Sequence, residues 1–85
     1  MKHYLVIGIR KPNFSDEVIE PHRAFLAELR VAGQLELTGG FTDGSGGAYL
    51  LKNLDSLDAA KALVARDPLA QHGSSEIHVY EWDAH

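Results

Sequence analysis

Gln34-Leu35-Glu36-Leu37-Thr38-Gly39-Gly40-Phe41-Thr42-Asp43-Gly44-Ser45-Gly46-Gly47-Ala48-Tyr49-Leu50-Leu51 is the stretch that decides the fold. Residues 34–41 have strand character, broken by Gly39-Gly40. Thr42 to Gly47 is a polar, glycine-rich connection, and Ala48 to Leu51 is strand again. A hairpin therefore occupies the middle of the chain. Upstream of it, residues 3–10 are rich in β-formers and end at the turn Lys11-Pro12-Asn13. Ser15-Asp16-Glu17 reads as a further turn. Pro21 suits the first turn of a helix, where its missing N–H costs nothing. His22, Phe25, Leu26 and Leu29 then recur at helical spacing, and Gly33 ends the run. Downstream, Asp55 or Ser56 caps a second helix with Leu57, Ala60, Leu63 and Val64 on its inner face. Pro68 is expected to stop it. Ser75 to Trp82 alternates as a last strand.

The order β-α-β-β-α-β predicts a ferredoxin-like α+β fold over residues 1–85, a single domain. Its core would be a four-stranded antiparallel sheet with both helices on one face. A chain this short buries only about 60% of its extended surface. Small domains with thin cores add disulfides, metals or partner subunits. Cysteine is absent, which excludes disulfides and thiolate metal sites. Oligomerisation is the staple that remains. The formal charge of -4 argues against nucleic acid as a partner. The apolar run Tyr4 to Ile9 is too short for a signal peptide or a membrane span, so a cytoplasmic protein is expected.

Both faces of the sheet read as apolar. The alternation puts Leu5, Ile7 and Ile9 on one face of the first strand and Tyr4 and Val6 on the other. Tyr49 and Leu51 oppose Leu50 in the third strand, and Tyr80 and Trp82 alternate with Val79 in the last. The expectation is that Tyr4, Tyr49, Tyr80 and Trp82 share the face that the helices leave open. Aromatic side chains with polar tips suit an interface there. This predicts a homodimer that pairs sheet to sheet.

Strand directions bring separate segments to one rim. His22 starts the first helix, Asp67 ends the second, Arg10 closes the first strand, and the loop 39–47 joins the second strand to the third. All lie at the same end of the sheet. A histidine and a carboxylate that meet beside an apolar pocket form an acid/base pair. Each also has a bland reading: a packed histidine in a helix, and an Asp-Pro pair that merely ends one. The glycines of 39–47 can bring backbone N–H groups close to a substrate, or simply join two strands. They do not form a phosphate loop, since the lysine and Ser/Thr are missing. Ser45 is a candidate polar contact, and His72 a candidate for the rim. His3 and His78 lack a third ligand for zinc, so no metal site is expected.

The chain resembles the YCII-related family. The resemblance rests on Tyr4 to Ile9, Pro21-His22-Arg23-Ala24-Phe25-Leu26, Leu37-Thr38-Gly39-Gly40-Phe41, and Leu57 to Asp67-Pro68-Leu69. It spans nearly the whole chain. It implies a dimeric α+β barrel and an active site built on a histidine and an aspartate, matching His22 and Asp67. Where the family often has Gly-Pro-Phe, this chain has Gly39-Gly40-Phe41. The family includes a dehydrochlorinase that removes HCl from a chlorinated hydroxyhydroquinone in aromatic degradation, and it is similar to the muconolactone isomerases.

The function expected is cofactor-free proton transfer on a small molecule, of lyase or isomerase type. His22 would be the base and Asp67 its support. Arg10, Gly40, Phe41, Ser45 and His72 are the candidate substrate contacts. The alternative is a non-catalytic module that binds a metabolite or a neighbouring protein.

Overall fold

The structure, a computed structural model, describes residues 2–85. Strand β1 (Lys2–Arg10) lies inside the sheet, antiparallel to β3 (Gly46–Leu51) on one side and β4 (Ser75–Asp83) on the other. Strand β2 (Leu35–Gly40) pairs with β3, which gives the order β2-β3-β1-β4. Helix α1 (Ile19–Val31) joins β1 to β2, and helix α2 (Leu57–Val64) follows β3. This is the ferredoxin-like α+β fold.

Local sequence explains each element boundary. Ser15 caps a short 3-10 helix, Asp16–Val18, by accepting from the Glu17 N–H, and this turn leads into α1. Pro21 sits in the first turn of α1. At the far end, Gly33 adopts φ 75°. The Gly33 N–H then reaches the Arg30 carbonyl, and the Gln34 N–H reaches that of Leu29. That Schellman closure needs a left-handed residue, which glycine supplies without a Cβ penalty. Ser56 is the cap of α2, accepting from the Ala59 N–H at 3.0 Å.

The core lies between the helices and one sheet face. Phe25, Leu26 and Leu29 from α1 and Ala60 and Val64 from α2 meet Tyr4, Val6, Tyr49 and Leu51. Burying each large apolar side chain is worth about 1.5–3 kcal/mol, so these few contacts carry most of a thin core.

Two expectations need correction. The first concerns the sheet faces. Leu5 stands directly opposite Tyr80, and Val6 opposite both Tyr49 and Val79. Residues paired across a sheet share a face, so Tyr4 and Tyr49 belong under the helices and are buried. Only Tyr80 and Trp82 stay on the open face, where they are 51% and 48% exposed. With them lie Leu5, Ile7 and Leu50, and Leu37 at 67% exposure. The open face is thus still apolar, through different residues. The second correction concerns Pro68. It does not merely stop a helix. Helix α2 ends at Val64, and Pro68 opens a third, short helix, α3 (Pro68–His72).

Candidate active site

Asp67 is the pivot of the site. The residue before a proline is pushed out of helical geometry, and Asp67 is extended at φ -67°, ψ 125°. That conformation makes it the N-cap of α3, and its Oδ1 accepts the Leu69 N–H at 2.9 Å. The expectation that it ends the second helix is therefore reversed. It stands at a helix start, and it is buried at 1% exposure.

His22 comes from the first turn of α1 and meets this carboxylate. Its Nδ1 lies 2.8 Å from Oδ1 and 3.0 Å from Oδ2 of Asp67. An ionised carboxylate can only accept, so the neutral imidazole carries its proton on Nδ1. Its lone pair is then on Nε2, which has no protein hydrogen-bond partner among the described residues. Asp67 thereby selects the tautomer that leaves the Nε2 lone pair free.

Tyr49, on β3, supplies the third side. Its hydroxyl donates to Oδ2 of Asp67 at 2.9 Å. Burial, reinforced by the Asp67 charge and hydrogen bond, pushes the phenol ionisation far above its usual value near 10.0. Tyr49 therefore remains a donor across the physiological range. Its ring is tilted against that of His22, with centroids 5.8 Å apart. Three donors from three elements thus satisfy one buried carboxylate.

A pocket of about 350 Å³ opens beside the pair. His22 and Tyr49 border it, together with Val6, Leu26, Leu69 and Ile77 on its apolar side. Arg10, Phe14 and Arg23 border it as well, and Gly39, Gly40, Gly46 and Gly47 bring backbone to its edge. Gly47 has no room for a side chain, since a Cβ there would sit 2.6 Å from the Gly39 carbonyl oxygen. The volume is near the lower end for ligand sites and suits a small molecule.

The expected site residues divide. His22, Arg10 and Gly40 line this pocket, and Asp67 lies behind His22, bonded to it but outside the lining. Phe41, Ser45 and His72 stand outside its lining. Phe41 is exposed in the β2–β3 turn. Ser45 is held by its backbone, its N–H on the Asp43 carboxylate and its carbonyl on the Arg10 N–H. His72 turns to Ser74, with Nδ1 3.0 Å from the hydroxyl oxygen. Tyr49, Arg23 and Phe14 belong to the site and were not expected there. Tyr49 was expected on the sheet face that the helices leave open; alternation groups it with Val6, as the register does, but does not say which face the helices cover. Among the described residues, no three His, Asp or Glu side chains group closely enough for a metal ion. Among the described residues, no helix is long and apolar enough to cross a membrane.

The YCII-related domain matches residues 1–83, and the chain belongs to the YCII-related family. It is 38% identical over 82 residues to the uncharacterised protein YjpA of Bacillus subtilis, covering 96% of this chain and 95% of that protein. Among solved structures it is similar to 5-chloro-2-hydroxyhydroquinone dehydrochlorinase (TftG) from Burkholderia phenoliruptrix, in complex with 2,5-dihydroxybenzoquinone. That match has a TM-score of 0.72 and 20% identity, and covers 98% of this chain and 95% of the other. An antibiotic biosynthesis monooxygenase matches at a TM-score of 0.62 and 15% identity, covering 100% of this chain and 99% of the other. At these identities the two structures speak for the fold.

Proposed function

We propose that this member of the YCII-related family is a cofactor-independent enzyme of lyase or isomerase type, with His22 as general base. The observation that carries this is the buried Asp67 carboxylate, 2.8 Å from His22 Nδ1, beside an open pocket. His22 Nε2 takes a proton from a hydroxyl or an acidic C–H. Asp67 holds the imidazole in place and stabilises the imidazolium that forms. Tyr49 and the Leu69 N–H keep Asp67 from turning away. Acid/base assistance of this kind is worth about 10²–10⁴-fold, which suits activated substrates.

The fold shared with a dehydrochlorinase makes HCl elimination the first chemistry to test. For a chlorinated hydroxyquinol, one O–H proton moves to the chlorine-bearing ring carbon. Loss of a second O–H proton lets that oxygen close to a carbonyl. A ring double bond shifts toward the chlorinated carbon, and the C–Cl electron pair leaves as chloride. The products are a hydroxyquinone, H⁺ and Cl⁻. His22 serves both proton removals.

We also infer a homodimer. The open sheet face presents Leu37, Tyr80 and Trp82, an apolar surface that a second copy would cover.

A panel of chlorinated hydroxyquinols and small lactones, read by chloride release and absorbance, tests the function. Turnover in the wild type that falls about 100-fold or more in His22→Ala supports it. Equal turnover in both overturns it. Saturable binding with no turnover of any panel member favours a non-catalytic binding module.

A further inference from the structure

We infer that the pocket takes an anion: a small, flat carboxylic acid whose carboxylate is held by Arg10. This rests on the proposed function in that it concerns the same pocket, and it adds the class of ligand. The chain is acidic overall, with 12 Asp and Glu against 8 Lys and Arg. The pocket is the reverse. Two guanidinium-bearing residues, Arg10 and Arg23, border it, while no Asp or Glu does. An isolated basic site on an acidic protein concentrates anions and repels nothing the pocket needs.

The two arginines are not equivalent. Arg23 is engaged by Glu20 at 3.2 Å on the surface. Arg10 has no carboxylate partner among the described residues. Its guanidinium carbon lies 4.3 Å above the centroid of the Phe14 ring, and Phe14 borders the same pocket. Stacking fixes the plane of a guanidinium and leaves its edge donors unused. A planar fork of that kind matches a carboxylate with two parallel hydrogen bonds. The remaining walls are apolar, with Leu26, Leu69 and Ile77 among them, and suit the uncharged body of the ligand. With its carboxylate at Arg10, such a ligand presents the rest of its ring to His22.

The test compares three probes by NMR titration of the wild type: 2,5-dihydroxybenzoate, its nearly isosteric neutral amide, and hydroquinone, which lacks the carboxyl group. The benzoate is expected to bind about tenfold or more tightly than either neutral probe. Arg10→Gln, checked for unchanged folding by circular dichroism, should abolish that preference, and Arg10→Lys should restore only part of it. Phe14→Leu should weaken benzoate binding without removing the preference. His22→Ala should keep the preference, which separates this inference from the assignment of the base. Equal binding of charged and neutral probes overturns it, as does a preference that survives in Arg10→Gln. Absence of saturable benzoate binding overturns it too.

Discussion

Tyr49 donates its hydroxyl hydrogen to Oδ2 of Asp67 at 2.9 Å, from the sheet side of the same carboxylate that His22 grips from α1. The phenol stays protonated because burial and the adjacent negative charge both oppose a second anion. A core tyrosine thus supports the Asp67–His22 pair from behind.

That support has a cost at high pH. The unfolded phenol ionises near 10.0, while the folded one keeps its proton well above that value. Below the unfolded value both states are protonated and Tyr49 adds no slope. Above it the folded state binds the extra proton, so stability falls as pH rises, by up to about 1.4 kcal/mol per pH unit. Urea unfolding at about pH 9 and about pH 11 should show this decline in the wild type. Tyr49→Phe should flatten it, and an equal decline in both proteins would contradict the account.

Asp67→Asn separates capping from chemistry. Asparagine caps a helix as well as aspartate does. It cannot accept from His22, Tyr49 and Leu69 as a carboxylate does, so one buried donor is left unmet. A loss of about 1–3 kcal/mol in unfolding free energy is expected. With a turned-over substrate in hand, kcat should fall by about 10²–10⁴. A stability loss with unchanged kcat would assign Asp67 a structural role alone, as the shared acceptor for His22, Tyr49 and Leu69.

The β2–β3 hairpin tolerates little at Gly47. An alanine there would press its Cβ against the Gly39 carbonyl, across the strand pair. Gly47→Ala should lower stability by about 1–3 kcal/mol, and thermal unfolding measures it. An unchanged midpoint would show that the hairpin shifts freely.

The open sheet face predicts association. Wild-type protein should sediment at twice the 9.3 kDa chain mass. Replacing Tyr80 and Trp82 with glutamate should return it to a monomer, because charge would be buried without a partner. A monomeric wild type at micromolar concentration would contradict this.

Much of this was legible in the residues, and the exceptions have physical causes. The spacing of Phe25, Leu26 and Leu29, with Gly33 beyond them, marks α1 because burial and the Schellman closure both depend on those positions. Strand direction alone puts His22 and Asp67 at one end of the sheet. Asp67-Pro68 misled, because a proline that ends one helix also suits the first position of the next. Tyr49 was grouped correctly with Tyr4 and Val6 but placed on the wrong side, because alternation along a strand does not say which sheet face the helices cover. Ser45 and His72 were plausible by location, but each is occupied locally, by Asp43 and by Ser74.

The central claim is that Asp67 leaves His22 with a free lone pair on Nε2. The ¹⁵N shifts of the His22 ring, measured where the imidazole is neutral, test it most directly. The account predicts a protonated Nδ1 and an unprotonated Nε2 in the wild type. A neutral ring with its proton on Nε2 would contradict it.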